Sequence, residues 1–352
     1  MRLILHIGTE KTGTTSIQEF LIKNRDRLSQ NRVYVPLSPA AGNGNHRWIP
    51  AIVSDDDFVD GFILSQQFKS KEDRKEKLSW YKDRFLSECQ DAARTCDTLI
   101  LTSEHFQSRL CKEEEIKRLQ DLLGKVFRKI RIVIYLRDPL ETAVSLLSTA
   151  IKSGGAQSTL PSPNQPYFEN VCNHGLTIKK WNKCFPDAEL VVRRYDKDFL
   201  IGGDVVIDFC CQSILDFNRE DYEYSKPSNE TLSLTGMALL RKLNMLFPRF
   251  IDKKSNPLRG QISKYVMDST NDGTRFLPSK EEFEAYRSHF FESCEWVRSH
   301  YFPRRKSLFA QRDKYSKIKI NLEEVVIESE VYERLIARLW EQKRKIELRS
   351  KS

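Results

Sequence analysis

The sequence contains no apolar run near the roughly 18 residues that span a bilayer, which argues against a transmembrane chain. The opening stretch, MRLILHIG, is too short for the apolar core of a signal peptide and meets no small-residue cleavage site. A cytoplasmic protein is therefore expected. None of the eight cysteines falls in a CxxC pair or in matched Cys/His spacing, and the adjacent Cys210 and Cys211 do not easily bridge each other. Reduced, mostly buried thiols are expected, and no zinc site. There is also no internal repeat and no clear linker.

What is present fits a globular chain. A length of 352 residues suits one large α/β domain or two modest ones and is ample for a sizeable core; without a clear linker, a single domain with insertions is expected. Hydrophobic residues at 39% and charged residues at 30% exclude disordered and fibrous classes. A net charge of +9 favours anionic partners without choosing among nucleotides, acidic glycans, nucleic acid and membrane surfaces.

Short apolar runs alternate with helical periodicity. RLILHI at 2–7, VYVPL at 33–37, DTLILTS at 97–103, RKIRIVIYL at 128–136 and ELVVRRY at 189–195 read as strands. Helical spacing follows at 15–28, 70–94, 112–126 and 140–154, the last with a Gly-Gly end at 154–155, while 38–60 and 156–168 read as loops. Strands that are apolar throughout predict a parallel sheet covered on both faces. The expected fold is α/β: a P-loop-like, three-layer arrangement with a helical C-terminal region. The expected organisation is a domain over 1–315, with a loop and helical insertion at about 38–95, and a charged helical tail over 316–352. In that tail Val331, Leu335, Leu339 and Ile346 form a narrow apolar stripe, which packs on its own domain or meets a partner helix.

The first strand runs into GTEKTGTT, Gly8 to Thr15, and then into a helix. Glycines let a backbone approach phosphate closely, and a helix N-terminus adds positive potential. Against the triphosphatase pattern GxxxxGK[ST], Gly8 and Gly13 match the glycines and Thr15 the hydroxyl. Thr14 stands at the lysine position, and the lysine has moved into the loop as Lys11. A second anchor lies in RDPLETAVSLL. Arg137 ends an apolar strand and Ser145 follows in the next helix, where the two could hold a phosphate by charge-assisted bonds.

Together these motifs resemble the sulfotransferase superfamily that uses 3′-phosphoadenosine-5′-phosphosulfate, on its bacterial and carbohydrate-modifying side. RRYDKDFLIGGDVVIDFC at 193–210, SNETLSLTG at 228–236 and FFESCEWVRSHYF at 290–302 also resemble family segments, so the likeness covers roughly residues 1–310. The resemblance implies that Gly8, Lys11, Thr12, Gly13, Thr14, Thr15 and Ser16 cradle the 5′-phosphosulfate, and that Arg137 and Ser145 bind the 3′-phosphate. Ser16 departs from the Trp of many small-molecule members. The implied donor becomes adenosine 3′,5′-bisphosphate, with no metal required. The implied acceptor is a hydroxyl, with a glycan favoured.

Sulfuryl transfer, like phosphoryl transfer, is mostly positioning and charge stabilisation. Lys11 would stabilise the leaving oxygen, and a base would take the acceptor's proton. Glu104 and His105 both follow a strand's carboxyl end, and the family uses either residue type as base. His46, in a polar loop, either faces the acceptor or lies on the surface. His6 reads as structural, and His174, His289 and His300 receive no role. One rival reading is an atypical P-loop small-molecule kinase, with Asp138 as its magnesium carboxylate. Another is a non-catalytic nucleotide-binding or nucleic-acid-binding protein. The latter is disfavoured because 49 acidic residues intersperse the positive charge and no aromatic-plus-basic platform is present.

Overall fold

The computed structural model describes residues 1–225, 232–252, 254–270, 273–310 and 315–349. Residues 228–231, the start of the SNETLSLTG segment, lie outside the described residues. The chain divides into two compact units. The first comprises Met1–Thr142, Asn164–Pro227 and Phe290–Ala310; the second comprises Ala143–Pro163, Ser228–His289 and Gln311–Ser352.

The first unit opens with β1 (Arg2–His6), α1 (Thr14–Lys23), α2 (Arg25–Gln30), β2 (Val33–Tyr34), α3 (Trp48–Val53), α4 (Gly61–Ser65) and α5 (Lys71–Ala92). It continues with β3 (Thr98–Thr102), α6 (His105–Arg109), α7 (Glu113–Gly124) and β4 (Lys129–Leu136). Helix α8 (Pro139–Lys152) begins in this unit and continues in the second. Then come α9 (Pro166–Cys172), α10 (His174–Cys184), β5 (Glu189–Arg194) and α11 (Val205–Ser213).

The five strands form one parallel sheet in the order β2-β3-β1-β4-β5. Their apolar runs need partners on both faces, and alternation divides them. Leu3, Leu5, Leu99, Leu101, Ile132 and Ile134 pack with Ile49, Phe85, Phe106, Leu119 and Trp181 from α3, α5, α6, α7 and α10. Ile4, Ile100, Val133 and Tyr135 pack on the other face with Ile17, Phe20, Leu28, Val205 and Phe209 from α1, α2 and α11. Each such side chain, fully buried, is worth about 1.5–3 kcal/mol. The result is the expected α/β sheet with helices on both faces.

Two local expectations are corrected. The helix expected over 15–28 breaks at Asn24, whose carboxamide donates to Phe20 O (2.9 Å) and Glu223 O (2.8 Å). A short polar side chain that finds backbone partners competes with the helix ladder. The expected loop at 38–60 contains α3, which is helical because Trp48, Ile49, Ala51 and Val53 are buried there.

The second unit contains the rest of α8, α12 (Leu234–Leu246), the short strands β6 (Phe250–Ile251) and β7 (Lys254–Ser255), α13 (Ile262–Ser269), α14 (Lys280–His289) and α16 (Ser329–Arg349). Between α14 and α16 the chain passes through α15 (Phe291–Tyr301), which belongs to the first unit. Asn244 on α12 donates to Ile151 O and Gly155 O, both at 2.7 Å. Arg334 on α16 donates to Ser269 O at 3.1 Å. Residues 316–352, set apart in the sequence as a tail, thus group with 143–163 and 228–289.

Candidate active site

Because β1 lies between β3 and β4, the segments leaving all three strands meet at one edge of the sheet, where ligands of open α/β sheets bind. The loop after β1 is pinned to β4. Tyr135 N donates to Gly8 O (2.6 Å), and Thr9 N and Thr9 Oγ1 both donate to Tyr135 O (2.9 and 3.0 Å). Gly8 has φ +95°, and a Cβ there would lie 2.9 Å from Glu104 Cα. Gly13 has φ +77°, and its Cβ would lie 2.6 Å from Val205 Cγ1. No other residue fits these two positions without displacing its neighbours.

Between the glycines, Lys11 also takes a positive φ, +66°. Burial lowers its pKa below the ordinary lysine value and Arg137 adds to this, while Glu10 and Glu104 act against it. Thr12 is buried and donates its hydroxyl to Thr9 O (2.6 Å), so it braces the loop. Thr14 is buried and its hydroxyl bonds Glu104, whereas Thr15 and Ser16 are exposed. The first turn of α1 carries neither an acidic residue nor a side-chain cap. Its backbone N–H groups therefore retain the positive potential that anions favour.

Glu104 leaves the end of β3. Its Oε2 accepts from Gln18 Nε2 (3.0 Å) and Asn45 Nδ2 (3.1 Å). Burial raises its pKa; Glu10 adds to the rise, and the donors from Gln18 and Thr14 oppose it. His105 Nε2 lies 3.7 Å from Glu104 Oε1. Burial, with Arg47 and Arg109 nearby, lowers the His105 pKa well below the ordinary histidine value. The two candidate bases are therefore shifted in opposite directions.

Arg137 follows β4. Its Nη1 donates to Lys11 O (2.8 Å), its Nε to Glu141 Oε2 (3.3 Å), and its guanidinium lies 5.6 Å from the Tyr195 ring centroid. Ser145 stands on α8 within the second unit, and its carbonyl accepts from Thr149 Oγ1 (3.0 Å). Asp138 accepts from Glu141 N (3.0 Å) and its carbonyl from Thr142 N (2.9 Å), so it caps α8.

His46 is corrected. It neither lies on the surface nor presents a nitrogen to an acceptor. It is fully buried, its Nδ1 accepts from Thr102 N (2.8 Å), and its Nε2 donates to Pro36 O (2.9 Å). Burial pushes its pKa down to about 4, so it ties 36–46 to β3 as a neutral ring. His174, assigned no role in the sequence, donates Nε2–H to Arg137 O (2.8 Å) and so positions the residue that carries the guanidinium.

Several residues at this edge went unnoticed in the sequence. Gln18 and Asn45 reach Glu104 from α1 and from the loop before α3. Beside them, Arg109 pairs with Glu10 (3.2 Å) and Asp60 (3.3 Å), lies 5.4 Å from the Tyr167 ring centroid, and shares Asp60 with Arg47. Gln18 carried one usable signal, since it stands four residues after Thr14 on the same face of α1. The others come from distant segments and carried none. Among the described residues, no group of three or more His, Cys, Asp or Glu could hold a metal ion, and no helix is long and apolar enough to cross a membrane.

No family model matches the chain. An uncharacterized protein from Archaeoglobus fulgidus is 28% identical over 146 residues, which cover 42% of this chain. The match spans only 38% of that relative's length. Among solved structures, a sulfotransferase from Alicyclobacillus acidocaldarius is similar at a TM-score of 0.38 and 16% identity, covering 69% of this chain and 92% of that one.

Proposed function

We propose that this chain transfers a sulfuryl group from 3′-phosphoadenosine-5′-phosphosulfate to an acceptor hydroxyl, with a glycan hydroxyl favoured. The observation that carries this reading is the convergence at one sheet edge of an uncapped, acid-free first turn of α1, Lys11, Arg137 and a carboxylate of raised pKa, Glu104. The residues suit such a donor. Gly8 and Gly13 keep the loop's backbone clear where a Cβ would intrude, and the N–H groups of α1 face no competing carboxylate in that turn.

As the acceptor oxygen bonds to sulfur, the bond from sulfur to the phosphate oxygen breaks. Glu104 takes the acceptor's proton. Its raised pKa moves it toward the working pH, where a base is most effective, while the depressed pKa of His105 makes that ring a poorer base. Lys11 and the N–H groups of α1 meet the negative charge that develops on the departing phosphate. Arg137 supplies a fixed guanidinium for the 3′-phosphate, held by Lys11 O, by Glu141 and, through its backbone, by His174. Asp138, the carboxylate that a magnesium-dependent kinase would need, serves here as the cap of α8 through Oδ1.

The test is calorimetric titration with adenosine 3′,5′-bisphosphate and with ATP, each in excess EDTA and in excess magnesium. Tight binding of the bisphosphate in EDTA with no binding of ATP is expected. ATP binding that requires magnesium, with the bisphosphate ignored, would overturn the reading.

A further inference from the structure

Helix α16 carries two apolar stripes of different fate. Val331 and Leu335 are 5% and 8% exposed, and on the same side Arg334 bonds Ser269 O and Arg338 pairs with Asp268 at the end of α13. A second stripe is Tyr332, Ile336, Leu339, Lys343 and Ile346. Its spacing of four, three, four and three is that of a coiled-coil seam. Its apolar members stand in solvent: Ile336 is 65% exposed, Ile346 67%, Leu339 44% and Tyr332 40%, with Trp340 alongside at 59%. A 21-residue helix, about 31 Å long at 1.5 Å per residue, thus presents an exposed apolar seam interrupted once, by Lys343.

We propose that a second copy of this chain covers the seam, with the two α16 helices antiparallel. The charge pattern selects both the occupant and the direction. In a parallel pair, the seam would set Lys343 against the partner's Lys343, two like charges at one layer. In the antiparallel pair, Ile336 meets the partner's Leu339, and the layer beyond it sets Tyr332 against the partner's Lys343, a cation–π contact. On the flank of the same pair, Glu333 stands beside the partner's Arg344. The two-fold axis repeats each of these contacts, as an isologous interface requires. The helix is therefore complementary to itself in one direction only. Lys343 already lies 5.4 Å from the Trp340 ring centroid, so its charge is directed along this face.

The test is sedimentation equilibrium of the full chain up to about 100 µM, a range that captures weak homodimers. A mass of twice 41.2 kDa is expected, and a mass of 41.2 kDa throughout overturns the proposal. Ile336→Glu with Leu339→Glu should return the chain to monomer with its thermal midpoint retained, because both side chains are exposed. A variant that still dimerises removes α16 from the interface. Glu333→Arg should weaken dimerisation about tenfold, in the range of one close charge pair. Adding Arg344→Glu should restore it, and failure to restore rules out the antiparallel register.

Discussion

Among the carboxylates of the first unit, the buried Asp208 and the partly buried Glu104 are furnished in opposite ways. Asp208, on α11, accepts from Tyr135 Oη (2.7 Å), from Arg193 through both Nε (2.9 Å) and Nη2, and from Ile201 N (3.0 Å). A guanidinium cancels its charge, and its lone pairs are filled. Glu104 receives neutral donors, from Gln18, Asn45 and Thr14, and no guanidinium bonds it among the described residues. A buried charge that is hydrogen-bonded but not neutralised keeps much of its desolvation cost, and the raised pKa of Glu104 expresses that cost. Asp208 ties β4, β5 and α11 together. In the proposed reaction, Glu104 is the group that exchanges a proton.

Replacing each carboxylate by its amide separates the two roles. Glu104→Gln keeps an acceptor for Gln18 and Asn45 but removes the base, so kcat should fall by about 10²–10⁴-fold. Its stability should hold or rise. The sign follows from linkage: a carboxyl whose folded pKa lies above its unfolded value binds protons more tightly when folded. Its charge is then a cost at neutral pH, and the cost disappears as pH falls below the unfolded value. Thermal melts at pH 7.5 and pH 4 should show the variant's advantage at the higher pH alone. A variant that keeps wild-type turnover would remove Glu104 from the chemistry.

Lys11→Ala comes next, with turnover expected to fall by about 10²–10³-fold, the usual consequence of losing one group that meets developing charge. The fold should survive, since Thr9, Thr12 and Tyr135 hold the loop through their own hydrogen bonds. Unchanged single-turnover rates would exclude Lys11 from the reaction. Asp208→Asn is the structural counterpart. It leaves Arg193 without its charge partner, and because Arg193 is partly exposed, a loss of about 3 kcal/mol is expected, at the low end for a broken buried pair. Chemical denaturation measures it, and a loss no larger than that of Glu104→Gln would collapse the contrast between the two sites.

How far this contrast was legible in the sequence depends on how local its causes are. The strands were legible because residues 3–5 and 132–136 are uninterrupted apolar runs, as the buried part of a parallel strand requires. The loop at Gly8–Thr15 was legible because its glycines sit where the backbone passes Glu104 and Val205. The placement of Glu104 and Arg137 just beyond the ends of β3 and β4 was legible because each follows such a run. The surroundings of Glu104 were not. Gln18 lies 86 residues and Asn45 59 residues from it in the chain, and only the folded sheet brings them together. His46 was misplaced for the same reason: nothing in GNGNHRW announces that both ring nitrogens will be engaged by Pro36 and Thr102. The break at Asn24 depended on Glu223, 199 residues away.

The finest test of the comparison is to alter the furnishing of Glu104 without touching Glu104. Gln18→Leu removes one donor to the charged form, worth about 1.5 kcal/mol for a bond to a charged group, and so should raise the carboxyl pKa by about one unit. The acidic limb of kcat/KM, where activity is lost as the base protonates, should move up by that amount while the plateau at high pH stays near wild type. Gln18→Lys makes the Glu104 site resemble the Asp208 site, with a cation beside the carboxylate, and should move the same limb down. A donor that merely filled space would shift neither limb, and a donor that only supported the fold would lower the plateau in both variants. Opposite displacement of the two acidic limbs is the result that ties proton exchange at Glu104 to the neutral company it keeps.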